Sequence, residues 1–301
     1  MPASLSALPT IVLAAGLGTR LAPITRVVAK PAVPVAGRTL VERVLAWLRR
    51  EGVTDVVLNL HYLPETITSV LGDGAALGLR IRYSWEPEIL GSAGGPRQAL
   101  ALWPGLTGPC LIVNGDTLTD FPLAPLVEAH LASGAQATLA VVANTRPDHY
   151  NGIRADAERR VVGFAKAGHA EHTWHFVGVQ VVTPSVFDRV PPGMPAETVS
   201  GLYRDLVLEE PGAVCVWPVE APFLDVGTPA DYLAAVLQTA GTDTCVIEGT
   251  TAYVHPSAVL TRCVVWDGAT VGAGANLTEC VVLTGAHVPP GTRATGRVFE
   301  A

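Results

Sequence analysis

Through the first half of the chain, short apolar runs alternate with stretches in which apolar residues return every third or fourth position. "PTIVLAAG", "TDVVLNL", "PCLIVNGDTL" and "QATLAVVA" predict buried strands, the first and third ending in loops or polar clusters. "LRIRYSW" alternates and predicts an edge strand. "TLVERVLAWLRREG" places Leu40, Val44, Leu45 and Leu48 on one side of a helix, with Glu42, Arg43, Arg49 and Arg50 on the other and Gly52 as its stop. "PETITSVLGDG", "SAGGPRQALALW" and "APLVEAHLASG" predict three more helices. Continuous apolar strands between amphipathic helices imply an α/β fold, with a mostly parallel sheet covered on both faces. Ligands of such sheets bind at the carboxyl ends of strands, where both "LAAGLGTR" and "IVNGDT" begin.

A third rhythm follows "DYLAAVLQTAG". Val259, Val265, Val271, Leu277 and Leu283 recur every six residues, with Tyr253 one step earlier and Ala258, Ala269 and Ala275 alongside. This predicts coils of a β-helix in which each short side turns one residue inward. Gly241-Thr242-Asp243 reads as the linker, so the expected domains are residues 1–240 and 241–301. The few coils must cap on the first domain or on another subunit, which predicts a homo-oligomer.

Composition narrows the class. The chain has 301 residues, 49% hydrophobic and 16% charged, as a well-packed globule would. A net charge of −7 speaks against a nucleic-acid partner. Cys110, Cys215, Cys245, Cys263 and Cys280 form no C-x-x-C pair and read as reduced thiols of a cytoplasmic protein. The apolar N-terminal stretch has no Lys or Arg before it, unlike a signal peptide, and no apolar run reaches the roughly 18 residues of a membrane span.

The chemistry starts at "GLGTR". Gly16 and Gly18 let the backbone approach a ligand and offer N–H donors to phosphate oxygens, and Arg20 adds a permanent charge. Leu21 stands where a dinucleotide fingerprint needs glycine or alanine, and no G-K-[ST] follows as in a Walker loop. Together with "AKPAVPVAGRTLVERVL" ten residues on, "LAAGLGTRLAPIT" resembles the signature of the sugar-1-phosphate nucleotidylyltransferases. "EILGSAGG", "VNGDTL", "FVGVQVVTPSVFDRVP" and "FLDVGTPADYLAA" extend the resemblance in chain order, and the terminal repeat is similar to the left-handed β-helix of hexapeptide repeats that many members carry. The resemblance implies a Rossmann-like (GT-A-type) catalytic domain, which transfers a nucleotidyl group from a nucleoside triphosphate to a sugar-1-phosphate.

In that reaction a sugar-phosphate oxygen attacks the α-phosphorus in line, and pyrophosphate leaves. The nucleophile is already anionic near neutral pH, its second pKa being about 6. The enzyme must therefore gather two polyanions and stabilise charge rather than supply a nucleophile. The resemblance assigns Arg20 and Lys30 to the triphosphate and leaving pyrophosphate. It assigns Leu13, Ala14, Ala15, Gly16, Gly18, Thr19, Gly91, Ser92, Ala93, Asn114 and Gly115 to the nucleotide. Asn151, Gly152 and Lys166 go to the sugar phosphate, and Asp116 and Asp225 hold Mg²⁺, a hard ion suited to carboxylate and phosphate oxygens.

One segment departs from the pattern. Where the family often has Glu-Lys-Pro, "FAKAG" keeps Lys166 but has Ala165 and Ala167, which leaves the sugar open. His169, His172 and His175 recur every third residue nearby. A strand would not keep all three on one side, so loop and packing roles are expected. "LGSAGG" leans towards enzymes resembling mannose-1-phosphate guanylyltransferases, that is GTP with mannose-1-phosphate. Glucose-1-phosphate with UTP or dTTP, and N-acetylmuramate-1-phosphate with UTP, stay open. So does a regulatory subunit of the same fold. A glycosyltransferase would usually show D-x-D, whereas Asp116 and Asp120 lie four apart.

Overall fold

Ile11 and Val12 point to opposite faces of one strand, and neither is exposed to solvent, so the sheet around them is covered on both sides. That strand is β1 (Thr10–Leu13). It is followed by β2 (Asp55–Leu60), β3 (Arg80–Trp85), β4 (Cys110–Asn114), β5 (Ala137–Ala143), β6 (Gly152–Ala155), β7 (Val161–Ala165), β8 (Trp174–Val182) and β9 (Val214–Pro218). The helices are α1 (Leu40–Arg50), α2 (Pro64–Leu71), α3 (Gly91–Ala99), α4 (Ala124–Ser133), α5 (Tyr203–Glu209) and α6 (Pro229–Ala240). The computed structural model describes residues 5–301; residues 1–4, the beginning of the stretch weighed as a leader, lie outside the described residues.

The chain divides into two compact units, and they cut across the linear boundary expected after residue 240. The sheet unit takes the residues up to Gly16, Val44–Pro64 and Thr68–Phe223. The coil unit takes Leu17–Arg43, Glu65–Ile67 and Leu224–Ala301.

In the sheet unit nine strands run in the order β7-β6-β8-β4-β1-β2-β3, with β5 on β8 and β9 on β5. The half made of β4, β1, β2 and β3 is parallel, as expected, and β3 is its edge. β8 breaks the pattern by running antiparallel to both β4 and β5. Its register against β5 slips between Phe176 and Gln180. The slip surrounds Gly178, at φ +76°, where a Cβ would come 2.7 Å from the Asn114 side-chain nitrogen. The bulge therefore makes room for a polar side chain at the end of β4. Ile11, Val57 and Ile112 share a core with Ala93 and Ala99 of α3 and with Tyr203 and Leu206 of α5.

The coil unit carries three small parallel sheets. Tyr253, Thr270 and His287 pair in sequence, as do Leu260, Leu277 and Ala294, with a repeat of 17 residues between equivalent positions. The repeat is one short of three hexads, which corrects the strict six-residue count at Tyr253, Val259 and Leu283, the last replaced in the coil core by Val282. Each side buries a pair two apart: Ala269 with Val271, Ala275 with Leu277, Cys280 with Val282, Ala286 with Val288. In the first coil the strict six-residue count lands one residue off, so Tyr253 and Val259 are each 55% exposed. Ala252, Val254, Ala258 and Leu260 pack inward there instead. The shortened side turns at Arg262, Glu279 and Gly296, all left-handed at φ 53°, 52° and 64°. Arg262 and Glu279 pair across successive coils at 3.3 Å.

Among the described residues no helix is long and apolar enough to cross a membrane.

Candidate active site

Each unit contributes a distinct set of the residues singled out in the sequence. In the sheet unit, β1 ends at Leu13 beside the end of β4. The Gly115 N–H donates to the Leu13 carbonyl at 2.9 Å. A Cβ on Gly115 would lie 2.8 Å from that oxygen, so the two strand ends meet only through glycine. Asn114 and Gly115 are thus brought against Leu13, and Asp116 follows directly, its Oδ1 facing the Thr117 hydroxyl at 3.4 Å. Ala14 and Ala15 are buried, whereas Gly16 is exposed and a Cβ there would meet nothing within 4 Å.

The Gly91-Ser92-Ala93 turn opens α3. Gly91 sits at φ +73°, with its missing side chain pointing 2.6 Å from the Ala196 carbonyl. The Ala93 N–H donates to that carbonyl at 2.8 Å, and Glu197 accepts from the Ser92 hydroxyl at 2.6 Å. The Ser92 hydroxyl in turn accepts from the Thr198 N–H at 2.9 Å. The first donors of α3 are therefore satisfied by the 196–198 segment rather than left for an anion.

Sequence reasoning missed the group that ties these two turns together. Asn59 is 3% exposed within the apolar run 56–60 of β2, and Glu86 just after β3 is fully buried. The Ala14 N–H donates to Asn59 Oδ1 at 2.8 Å, and Asn59 Nδ2 donates to Glu86 Oε1 at 2.7 Å. The other carboxylate oxygen, Oε2, accepts from the Leu90 N–H at 2.8 Å. The one available signal was an asparagine inside an apolar strand.

Gly152 pairs with Ala165 across β6 and β7. Asn151 Oδ1 accepts from the Ala167 N–H at 3.0 Å, which fixes the turn that presents an exposed Lys166. The structure thus brings Asn151, Gly152 and Lys166 together. A side chain at Gly152 would run into Thr173, so packing alone demands that glycine. Ala165, where the family pattern has an acid, is 7% exposed. Of the three histidines, His169 and His172 are exposed in a loop, while His175 lies in β8 against the Tyr150 and Phe223 rings at 4.2 and 4.8 Å.

The coil unit holds a second set of charges, in addition to Asp116 and Lys166 of the sheet unit. Gly18 is left-handed at φ +62°, and a Cβ there would approach Thr25 Cγ2 at 2.8 Å and Lys30 Cβ at 3.1 Å. Thr25 closes the turn by donating to the Gly18 carbonyl at 3.0 Å. Thr19 and Arg20 begin a short 3₁₀ turn and are exposed, whereas Lys30 is 8% exposed. Lys30 Nζ lies 3.8 Å from Asp225 Oδ1. Gly227 forms a bare floor beside them, with Asp225 Oδ2, Asp231 Oδ2 and Arg20 Nη1 at 3.2, 3.3 and 3.4 Å from the place its Cβ would take. Arg20, Lys30 and Asp225, distant in sequence, therefore form one cluster. Asp231 is already engaged in a capping box with Thr228 at the start of α6.

A model of the family described as nucleotidyl transferase matches residues 9–241. The chain belongs to that family. It is 31% identical over 224 residues to a mannose-1-phosphate guanylyltransferase of Mycobacterium tuberculosis, covering 74% of this chain and 62% of that protein. It is 30% identical over 244 residues to a UTP–glucose-1-phosphate uridylyltransferase of Synechocystis, covering 75% of this chain and 62% of that one. The aligned part thus spans less than two thirds of these relatives. Among solved structures, HddC from Yersinia pseudotuberculosis superposes with a TM-score of 0.67 at 22% identity, over 77% of this chain and 99% of the other, a likeness of fold. HddC has also been crystallised with GMP-PN.

Proposed function

We propose that this nucleotidyl transferase joins a nucleoside triphosphate to a sugar-1-phosphate, releasing pyrophosphate, with GTP and mannose-1-phosphate as its substrates. The observation that carries the reading is the Arg20–Lys30–Asp225 cluster, two cations and one carboxylate gathered by a glycine-bound turn. Two cations suit the displaced pyrophosphate, and the sugar phosphate needs no base to attack. Leu13–Gly16 and Asn114–Gly115 offer backbone at two adjoining strand ends, where such sheets bind nucleotides. Asn151, Gly152 and Lys166 suit the sugar phosphate. The guanylyltransferase named among the relatives supports the choice of base and sugar.

Asp116 and Asp225 have the hard oxygen donors that Mg²⁺ prefers, and neither is tied up in a helix cap as Asp231 is. Bound to them, the ion would neutralise phosphate charge. The coils read as a left-handed β-helix that makes the contact of a homo-oligomer, in a cytoplasmic enzyme.

The test is pyrophosphate release with Mg²⁺ across GTP, UTP, dTTP, CTP and ATP, each against mannose-, glucose-, N-acetylglucosamine- and N-acetylmuramate-1-phosphate. Release with GTP and mannose-1-phosphate, abolished in Asp116→Asn, is the expected result. Release with UTP or dTTP and glucose-1-phosphate instead would reassign the substrates. Silence across the panel would sink the transfer reading.

A further inference from the structure

The buried Asn59–Glu86 pair lies between the two turns that the nucleotide reading uses. Asn59 faces both ways. Its oxygen takes the Ala14 N–H, which obliges its NH₂ to face Glu86. Glu86 then accepts on both oxygens, from Asn59 and from the Leu90 N–H immediately before Gly91. The orientation of every group in this chain is therefore fixed, from the end of β1 to the start of α3. The fold also keeps space for it. A Cβ at Gly95 would lie 2.5 Å from Glu86 Oε1 and 2.7 Å from Asn59 Nδ2. The second glycine of "AGG" is thus explained by the pair rather than by the turn.

A fully buried carboxylate is costly unless its oxygens are satisfied, and a shorter apolar pair would fill the same space more cheaply. What the polar pair adds is direction: it sets the distance between two backbone turns. We propose that Asn59 and Glu86 are positioning residues for the nucleotide, holding the Leu13–Gly16 and Gly91–Ala93 turns at the spacing the triphosphate substrate requires. The inference rests on the nucleotidyl-transfer reading. It assigns neither residue to the reacting atoms.

Polarity gives a decisive test. Glu86→Gln sets an amide donor against either the Leu90 N–H or the Asn59 NH₂. Asn59→Asp sets two acceptors face to face. Made together, the two changes restore every bond with the middle one reversed, because the new amide donates to the new carboxylate and its oxygen still takes the Leu90 N–H. The full-length protein and the three variants are compared by calorimetric binding of GTP, UTP and dTTP, by the KM for each substrate of pyrophosphate release, and by melting temperature. Each single variant is expected to weaken nucleotide binding and raise the nucleotide KM roughly tenfold, as the loss of one buried hydrogen bond does. The KM for the sugar phosphate stays within about twofold, and the double variant returns to within about threefold of wild type. If a single variant fails to fold, the double variant alone decides: wild-type binding supports the pair, and weakened binding overturns it. Single variants that fold and bind nucleotide as wild type does overturn the positioning role alone. Wild-type protein that binds none of the three nucleotides overturns both this role and the transfer reading.

Discussion

The sheet unit and the coil unit present the residues of the proposed site in different ways. The sheet unit offers backbone: strand ends that meet through Gly115, an open Gly16, and turns held by a buried asparagine and glutamate. The coil unit offers side chains: Arg20, Lys30 and Asp225 around Gly227. Backbone donors depend on the path of the chain, whereas charges depend on residue identity. The strand ends and turns of the sheet unit should therefore be sensitive to added atoms, and the Arg20–Lys30–Asp225 cluster, like Asp116 and Lys166 of the sheet unit, to lost charges.

The sharpest contrast is Lys30→Met. It removes one charge from a nearly buried position beside Asp225, and kcat/KM for pyrophosphate release is expected to fall by about 10²- to 10³-fold. Lys30→Arg should keep the charge and recover part of the rate. A Lys30→Met enzyme that retained more than about a third of the wild-type kcat/KM would break the comparison.

The second prediction concerns packing in the coil unit. Leu277 is fully buried in the coil core, and Leu277→Ala should cost about 2–5 kcal/mol in urea unfolding. Val259, 55% exposed one residue out of phase, should cost within about 0.5 kcal/mol when changed to Ala. Equal losses at the two positions would mean that the strict six-residue count describes the coils better than the 17-residue repeat does.

That pair of positions also shows where the sequence was readable. The strands β1 to β5 and the helices α1 to α4 were legible because each has its own period and loops absorb any slip between elements, whereas β6 to β9 and α5 were not read from the sequence. The coils repeat without loops, so each shortened side shifts the phase of the count, and Tyr253, Val259 and Leu283 were misassigned. The charged residues were legible through family motifs. Asn59 and Glu86 were not, because a buried polar pair has no period; it becomes visible only once β2 and β3 lie side by side. Nor did the sequence announce that Gly227 would gather Arg20 and Asp225, which are joined by folding alone.

A third prediction tests a buried titratable group of the sheet unit that takes no part in the site. His130 on α4 is 3% exposed, with Thr138 and Thr183 hydroxyls at its two ring nitrogens. Burial lowers its pKa from 6.5 to about 4. The folded state thus holds the neutral ring. Between pH 6.5 and about 4 the unfolded chain binds more protons, so stability is complete above that window and falls as the pH drops through it. The loss reaches at most about 3 kcal/mol and should flatten in His130→Gln. Urea midpoints at pH 7.5, 5.5 and 4.5 measure it. A wild type and variant with parallel pH profiles would show that His130 is not the source.

The smallest effect should come from the carboxylate next to the cluster. Asp231 Oδ2 accepts from the Thr228 N–H at 2.9 Å and from the Thr228 hydroxyl at 2.7 Å, while the Asp231 N–H donates back to Thr228 Oγ1 at 3.2 Å. Thr228→Ala removes the side-chain half of this cap and should lower stability by about 1 kcal/mol. Asp231→Asn keeps an oxygen to accept from the Thr228 N–H, so it should cost less than that, with kcat/KM within about threefold of wild type. Asp225 lies on the other side of Gly227 and pairs with Lys30, so Asp225→Asn should abolish most activity at nearly unchanged stability. Two carboxylates lie beside one glycine floor, Asp231 held in the helix cap and Asp225 paired with Lys30. Pyrophosphate release by the two Asp→Asn variants, read beside their urea midpoints, decides the matter. A rate that collapsed in Asp231→Asn while surviving in Asp225→Asn would reverse the assignment.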